Sequence, residues 1–431
     1  MNSKKNSTPR FDMKWHPVAA AVLLALPIVA QAADISIKNG VVGSANNVPV
    51  ININTANDKG LSHNVYDKLN VGKNGVIFNN SATGANTTLG GNVQGNSNLT
   101  SGSAKVILNE VTSKNASAIN GMMEIAGDKA DLIIANPNGI TVSGGGTINT
   151  GKLTLTTGTP DVKDGQVAGY SVNGGTITLG QMSTTSPTDI LARNVVVTDK
   201  VSAGELNVVA GNNYVNSAGQ ATGTVTATGS RNTNSIDVAA LGGMYAKKIN
   251  LVSTENGVGV RNLGLLSAGD GGVNIDSKGQ LLNSNARIET SGQINIKTNG
   301  ALNNTTGAIA ATGSIALDTN KNSLVNTRAG NISTSGDLYI NSGAIDNTNG
   351  KMASAGTLAV DTNNATLTNS GKGNTVGIEA GIVALKTGTL NNSNGQIKGG
   401  YVGLESTALN NNSGLVDSLG NVDVISAGNV D

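Results

Sequence analysis

The chain has 431 residues and a formal net charge of +1, because 28 lysines and arginines are set against 27 aspartates and glutamates. Charged residues make up only 13% of the chain, about half the usual globular share of about 25%. Near-neutrality removes the long-range attraction that nucleic acid or an anionic membrane needs. Cysteine is absent and the only histidines are His16 and His63, so thiol chemistry and disulfides are excluded and zinc sites nearly so. We therefore expect no metal site, no cofactor and no nucleic-acid partner.

The first 32 residues predict a secretory signal peptide. Residues 1–17 carry four basic side chains, and an apolar run from Val18 to Ala30 follows. This run is too short to span a bilayer, which takes about 20 apolar residues. Small residues at Ala30 and Ala32 suit signal peptidase, so we expect cleavage after Ala32 or Ala33 and export from the cytoplasm. A buried helix of the mature domain is the alternative interpretation.

Beyond about Gly257 the chain repeats itself with two markers that keep the same period. The first marker is an apolar-x-apolar pair at steps of 19 to 25 residues: Val273/Ile275, Ile294/Ile296, Ile315/Leu317, Leu338/Ile340, Leu358/Val360, Val383/Leu385, Val402/Leu404 and Val422/Val424. The second is an asparagine two residues after an apolar residue, at steps of 19 to 23: Asn262, Asn283, Asn304, Asn326, Asn347, Asn369, Asn392 and Asn411. Two markers locked to one period of about 21 residues define a repeat.

The repeat predicts an all-β fold, a right-handed parallel β-helix. Alternation of apolar residues within each short run is typical of a strand, and Gly, Asn, Ser and Asp between the runs supply turns. No window shows the 3.6-residue apolar period of a helix. Equivalent apolar side chains should stack into internal ladders, and the recurrent asparagines should hydrogen-bond between turns. At one turn per repeat, the chain after Ala32 would form about 19 turns.

The front of the chain carries specific motifs in a fixed order. They are Ile51-Asn52-Ile53-Asn54-Thr55, Gly60 to Tyr66, Leu69-Asn70-Val71, Ile107 to Val111, Gly121 to Gly127, Ile133 to Thr141, Ala239 to Ala246, and Gly257 to Asn262. Together they resemble the two-partner secretion domain of filamentous haemagglutinins, secreted haemolysins and contact-dependent growth-inhibition exoproteins. This resemblance implies a β-helix with an N-terminal cap and irregular front turns. It divides the chain into a signal peptide at 1–32, a secretion domain at 33–262 and haemagglutinin-type repeats at 263–431, which end uncapped.

Two short turns are candidate secretion motifs under this resemblance. One is Asn96, Ser97, Asn98 and Leu99, where the family carries N-P-N-L, so the proline that presets φ is lost. The other is Asn136, Pro137, Asn138 and Gly139, which suits a β-turn. One interpretation is that such a turn only reverses the chain between strands. The resemblance implies that both turns belong to the region that the outer-membrane transporter recognises or that nucleates folding, and the two interpretations are compatible. Haemolysin-type members often follow the second turn with a C-x-x-C pair, but Val142 and Gly145 stand in those places.

The resemblance also implies partners and a location. It predicts an outer-membrane TpsB-type barrel transporter with periplasmic docking domains, preceded by the inner-membrane secretion machinery. The product would be secreted or held at the bacterial cell surface, where it would act as an adhesin that binds a host or bacterial cell-surface receptor. The alternative is the stalk of a contact-dependent growth-inhibition toxin or haemolysin.

An enzyme is the less favoured hypothesis, since parallel β-helices also host polysaccharide lyases and glycosidases. Those enzymes need clustered carboxylates, often with a basic residue or calcium. Acidic residues here are scattered, and the pair Asp161 and Asp164 lies in a polar stretch where both are expected to be solvated. His63 is better explained by a surface role than by catalysis. We therefore expect no catalytic residue.

Overall fold

The computed structural model describes residues 35–38 and 40–431. These residues form 44 β-strands and no helix, and most of the strands lie in three parallel ladders. Each ladder contributes one face of a solenoid, and the chain visits the first, second and third faces in turn before it begins the next rung. The predicted signal peptide, with Ala30, Ala32 and Ala33, lies outside the described residues.

The strands are short, as expected for a solenoid with three faces per turn. First-face strands are Val48–Asn52, Val76–Asn80, Met122–Gly127, Gly145–Ile148, Met182–Ser183, Lys200–Ser202, Arg287–Thr290, Ala308–Ala311, Asn331–Thr334 and Leu415–Ser418. Second-face strands are Leu61–Leu69, Val106–Val111, Ala130–Ala135, Thr150–Thr156, Thr188–Ala192, Leu206–Ala210, Ile294–Thr298, Ile315–Asp318, Leu338–Asn341 and Val422–Ser426. Third-face strands are Ser117–Ile119, Ile140–Val142, Thr176–Leu179, Asn194–Val197, Asn234–Val238, Gly259–Asn262, Leu281–Leu282, Leu302–Asn303, Leu324–Val325, Ile345–Asp346 and Thr366–Thr368.

Five long strands turn the corners between faces without a break. Gly243–Ser253, Leu265–Ser277 and Lys351–Asp361 serve the first and second faces, and Gly377–Asn391 and Gln396–Asn410 serve all three. The remaining strands lie outside the ladders: Ile35–Ile37, Val42–Ala45, Gly84–Thr87, Gly91–Gln94, Thr159–Lys163, Gln166–Val172, Asn213–Asn216 and Ala221–Thr224.

The interior is the stack of like apolar side chains that the repeat predicts. Ile294, Ile315 and Leu338 are consecutive partners in the second-face ladder, and each is fully buried. One continuous cluster of apolar residues runs from Ile51 to Leu409. Because each side chain packs on its counterpart one rung away, the core grows by nearest-neighbour contacts. The predicted fold class, an all-β parallel solenoid, is confirmed.

The predicted asparagine ladder is also present. The eight asparagines stand at the end of the third face: Asn262 is the last residue of its strand, and each of the other seven comes directly after a strand. Each side-chain amide donates to the Oδ1 atom of the next asparagine in the series, at 2.6–2.8 Å. The second amide hydrogen of Asn326 goes to the Lys351 carbonyl, at 2.9 Å. Asn262, Asn283, Asn304 and Asn326 are wholly inaccessible to solvent. Burial of so many polar groups is stable because each is hydrogen-bonded.

The expected number of turns, about 19, is wrong, because the structure has about 15. The difference arises in the front half, where the chain leaves the solenoid twice. A hairpin, Gly84–Thr87 with Gly91–Gln94, projects between the first and second faces. A four-stranded antiparallel sheet uses residues 159–172 and 213–224. Both excursions consume chain without adding a turn.

An N-terminal cap covers the first turn. Ile35–Ile37 pairs antiparallel with Leu61–Leu69, and Val42–Ala45 pairs antiparallel with Val48–Asn52. Antiparallel pairing ends the parallel ladders on this side, so the first solenoid strands do not present an open edge. The boundary between a secretion domain and the repeats at 262/263 stays a prediction, since the ladders pass across it unbroken.

The two excursions cover the outer side of the solenoid. The hairpin packs Val93 and Leu89 on the first face, where buried Glu124 accepts hydrogen bonds from the Thr88 and Leu89 amides at 2.6 and 2.8 Å. The antiparallel sheet, which we call the covering sheet, packs Tyr170 and Val215 on the second face. The front half is therefore thicker than a bare solenoid.

Candidate functional site

The two candidate secretion motifs fold into the same kind of turn. In the first, the Asn96 side-chain oxygen accepts the Asn98 amide at 3.0 Å, and the Asn96 carbonyl accepts the Leu99 amide at 3.2 Å. In the second, the Asn136 side-chain oxygen accepts the Asn138 amide at 3.0 Å, and its carbonyl accepts the Gly139 amide at 3.1 Å. An asparagine that bonds to the backbone two residues later is a common way of closing a turn.

The proline that the first turn lacks is not needed for its geometry. Ser97 occupies that place, yet the turn closes, because the buried Asn96 amide also donates to the Ile53 and Asn79 carbonyls at 2.9 Å each. In the second turn Asn136 is fully buried, and its amide donates at 2.9 Å to the Asn115 carbonyl and the Ser117 hydroxyl. The leading asparagine fastens each turn to the solenoid.

The two turns lie at different corners of the solenoid. The Asn96 turn contacts residues at the ends of first-face strands, and the Asn136 turn lies between the second and third faces. They share no hydrogen-bonding partner. Gly139 has a φ of +110°, a backbone conformation that glycine adopts readily and residues with a Cβ atom do not. The fourth place of the second turn therefore favours glycine.

Several buried asparagines of the front half escaped the sequence analysis. Asn80 is fully buried and makes three hydrogen bonds: it donates to the Ala104 and Asp128 carbonyls and accepts the Ala104 amide. Asn64 accepts the Asn54 amide at 2.9 Å. They follow no period, so no pattern in the sequence separates them from surface asparagines.

The Asp161 carboxylate is partly exposed to solvent, and it also has two partners in the folded chain. Asp161 lies in the covering sheet, where it pairs with the Lys163 ammonium at 2.8 Å and accepts a hydrogen bond from the Tyr214 hydroxyl at 2.8 Å. These partners, Lys163 first, hold the pKa of the Asp161 carboxyl below its usual range. Asp164 occupies the hairpin turn with a φ of +51°. The two carboxylates serve the hairpin, and the arrangement does not resemble an acid–base pair.

A buried ion pair fastens the covering sheet region to the solenoid. The Arg193 guanidinium bonds both Glu255 carboxylate oxygens, at 2.8 and 3.1 Å, and also donates to the Thr228 and Gly229 carbonyls. The Arg193 side chain is only 5% exposed. Bidentate pairing, in which each of the three guanidinium nitrogens donates at least one hydrogen bond, is the geometry in which a buried ion pair fixes one arrangement of the chain.

His63 lies on the outer side of the second face, as expected for a surface role. Its Nε2 atom lies 2.8 Å from Glu110 Oε2, across one rung. Among the described residues, no group of three or more His, Asp or Glu side chains could hold a metal ion. Within the same residues, no helix is long and apolar enough to cross a membrane.

Alkaline pH is expected to destabilise the front half through Tyr66. Its hydroxyl is buried and donates to Asn109 Oδ1 at 2.8 Å, and burial raises the pKa of Tyr66 above its ordinary value of 10. A raised pKa means that the contribution to stability is complete below pH 10 and is lost as pH rises above it. We expect Tyr66→Phe to flatten the fall of the urea midpoint between pH 9 and about pH 12. The half-exposed Tyr245→Phe should keep the wild-type slope, and equal slopes in both variants would contradict the prediction.

The solenoid and its covered front half have known counterparts. A family model described as "TPS secretion domain" matches residues 28–283. The solved filamentous hemagglutinin secretion domain matches with a TM-score of 0.55 and 34% identity, over 66% of this chain and 95% of that one. The protein named "Toxin CdiA" of Yersinia pestis is 41% identical over 282 residues, which are 62% of this chain and 9% of that protein. A "tRNA nuclease CdiA" of Escherichia coli strain STEC_O31 is 44% identical over 250 residues, 56% of this chain and 8% of that protein.

The solenoid fold and the match to the family model and the solved structure define a β-solenoid secretion domain, a non-catalytic class. The chain belongs to the TPS secretion domain family, whose members are two-partner-secreted exoproteins with a TpsB transporter as the general partner. The resemblance found from the sequence is confirmed. The chain spans about a tenth of the length of the curated relatives it matches, and their nuclease names refer to parts that it does not cover.

Proposed function

We propose that residues 33–262 form a module that directs export across the outer membrane and then nucleates folding of the repeats at 263–431. The single observation that carries this proposal is the capped front of the solenoid. Antiparallel strands close one end, so a folded front presents only its other end as a template for the next rung.

Sequential rung addition supplies a physical direction to export. Each new back rung buries four large apolar side chains against the rung before it, such as Leu302, Ile309, Ile315 and Leu317. Each back rung up to Asn411 also adds one bond to the asparagine ladder. Because these contacts are local to neighbouring rungs, folding needs no distant part of the chain. Rungs that fold outside cannot slide back through a narrow pore, so folding would bias transport outward without ATP.

The proposed route begins at a signal peptide, residues 1–32, cut near Ala30, Ala32 and Ala33 by the inner-membrane machinery. The transporter would be a TpsB-type barrel whose periplasmic docking domains bind the unfolded front of the chain. We propose the Asn96 and Asn136 turns as parts of the segment it recognises or of the folding nucleus. We propose that the whole exoprotein is non-catalytic.

At the cell surface we propose attachment to a host or bacterial cell as an adhesin. The second candidate is the stalk of a contact-dependent growth-inhibition toxin, which is favoured by the names of the relatives at 41–44% identity. A haemolysin is less favoured, because Val142 and Gly145 stand where such members often carry cysteines. A β-helix polysaccharide-degrading enzyme is the least favoured alternative.

The export proposal is tested by two deletions of unequal expected effect. The chain is produced with a TpsB-type transporter, and its amount is measured in the medium and in the periplasm. Deletion of residues 34–150 should abolish export. Deletion of residues 302–389 is the control: it removes four whole turns and joins Ala301 to Leu390, which occupies the register of Leu302. Export of the first deletion, or failure of the second, would overturn the proposal.

Point substitutions separate the turn geometry from its sequence. Asn136→Ala removes a side chain with four hydrogen-bonding contacts and should leave the chain in the periplasm. Pro137→Ser makes the second turn like the first, which Asn96 closes with a serine in the proline's place, and it should cost only about 0.4–1 kcal/mol. It should be exported nearly as well as the wild type. Loss of export in Pro137→Ser alone would show that the proline itself is recognised.

A further inference from the structure

The outer side of the second face is bare in the back half of the solenoid. In the front half the covering sheet lies on this side, but from about Asn274 onward no strand of the described chain covers it. A groove of about 820 Å³ runs there along the rungs from Asn274 to Ile425. Its floor and its borders have different chemistry.

The floor of the groove is a column of small side chains. Ala316, Ala359, Ala384 and Gly403 occupy one outward register position on the second face, and Tyr339 lies in the same column after Ala316. Side chains this small leave the sheet surface flat over several rungs. These small side chains do not contribute to the solenoid core, because their positions point away from it.

Two tyrosine rings lie on this strip. A Cβ atom at Gly403 would lie 3.3 Å from a ring carbon of Tyr401, so that ring lies flat over the glycine. The Tyr401 hydroxyl donates to Asp423 at 2.6 Å, and the Tyr339 hydroxyl donates to Asp337 at 3.1 Å. The residues are 37% and 47% exposed. The rings are three rungs apart, about 14 Å at the usual strand spacing.

A row of polar side chains borders the aromatic strip. Asp318, Asn341, Asp361, Lys386 and Glu405 follow one another in register, two positions along the strands from the floor. Over the whole groove, four carboxylates and two lysines are present, a net charge of −2. Such a row offers hydrogen bonds to hydroxyl groups, whereas its charge repels anions.

We propose that this groove, the tyrosine strip, binds an uncharged oligosaccharide that lies along the solenoid axis. The apolar faces of sugar rings would stack on Tyr339 and Tyr401, and the carboxylates and amide of the row would accept and donate hydrogen bonds with ring hydroxyls. Apolar platforms with a few placed polar groups are the general composition of small-molecule sites. Excess negative charge disfavours sulfated or uronic-acid glycans.

A polypeptide is a poorer occupant of the tyrosine strip. Added strands bind at a sheet edge, where backbone groups are free, but the strands under the groove are already paired on both sides in the ladder. If a second copy packed face to face, its row of mainly acidic side chains would lie beside this row, and the like charges would repel each other unless the lysines of one copy faced the carboxylates of the other. The inference rests on the proposed attachment role, but binding by purified chain is measured without export.

The test uses purified full chain and defined hexasaccharide probes. Neutral probes are maltohexaose, cellohexaose and N-acetylchitohexaose, and acidic probes are hexagalacturonate and a hyaluronan hexasaccharide. Saturation-transfer NMR and calorimetry should show binding of at least one neutral probe and of neither acidic probe. Tyr339→Ala and Tyr401→Ala should each weaken that binding about tenfold. Gly403→Val, which occupies the place of the Tyr401 ring, should weaken it as well, whereas Tyr401→Trp should retain it.

Tyr245→Ala is the matched control, because Tyr245 lies on the first face beside Lys200. It should bind as the wild type does. Failure of every neutral probe to bind would overturn the inference, and so would preference for an acidic probe or binding that ignores both strip tyrosines. Self-association lost in Tyr339→Ala would assign the strip to a second copy and would equally overturn it. None of these results bears on export, which the deletions test.

Discussion

Asn326→Asp is expected to cost the folded chain about 3–5 kcal/mol at neutral pH. Asn326 is fully buried, its amide donates to Asn347 Oδ1 at 2.8 Å and to the Lys351 carbonyl at 2.9 Å, and its oxygen accepts the Asn304 amide at 2.7 Å. Aspartate has the same shape but no donor when ionised. Its carboxylate would therefore lie against two acceptors in a site without water.

The loss of stability in Asn326→Asp should grow as pH rises, whereas a loss caused by a cavity would not depend on pH. Desolvation and the facing acceptors would raise the pKa of the new carboxyl above its unfolded value, so the variant gains stability below about pH 4 and loses it as pH rises. Urea unfolding followed by circular dichroism at pH 3.5 and 7 measures this. Asn295→Asp, at an exposed position on the second face, is the control and should stay within about 0.5 kcal/mol of the wild type. Equal losses for the two variants would contradict the role of the ladder.

Gly350→Ala is expected to cost about 3 kcal/mol, although it adds one methyl group. A Cβ atom at Gly350 would lie closer than 3.0 Å to the Asn326 carbonyl oxygen of the preceding rung and 2.6 Å from Asn347 Oδ1. Neither atom can give way, because the first is backbone and the second belongs to the asparagine ladder. The rungs must therefore separate locally. The same collision would occur at equivalent glycines of other rungs: Gly307, Gly330, Gly395 and Gly414.

Gly223→Ala is a matched control for this substitution. A Cβ atom there would meet its nearest neighbour, Tyr214 Cβ, at 3.8 Å, which is an ordinary contact. We expect no loss of stability in this variant. Hydrogen exchange of the backbone amides should also show faster exchange in Gly350→Ala around rungs 326–369, while the front half keeps its protection. Unchanged amide exchange in Gly350→Ala at residues 326–369 would show that the distance between rungs accommodates the methyl group, which would contradict the prediction.

The period of the apolar pairs and the asparagines predicted the back half well because a solenoid contacts only its neighbours. Ile294, Ile315 and Leu338 had to stack if the fold was a β-helix, and Asn304 and Asn326 had to meet for the same reason. Register in such a fold follows from spacing along the chain. In the front half this relation fails, since the excursions at 84–94, 159–172 and 213–224 have no period.

For the two candidate turns, too, the sequence predicted one part and the structure supplied the other. The sequence marked Asn136 to Gly139 as a turn and made the loss of proline at Ser97 a departure from the family. Only the structure shows that a buried asparagine, at 96 and at 136, closes each turn and fastens it to the solenoid. An asparagine can be buried only where backbone carbonyls of other strands accept its amide hydrogens, and the local sequence does not show which carbonyls will face it.

The sequence by itself determined the class of fold, the stacked interior, the asparagine ladder and the family, because each depends on residues repeated at one spacing or on motifs in a fixed order. Tertiary structure alone decided the number of turns, the covering of the front half and the bare strip around Tyr339 and Tyr401. These features depend on which outward residues meet across separate rungs, and a tyrosine over Gly403 is not distinguishable in sequence from one that points into solvent.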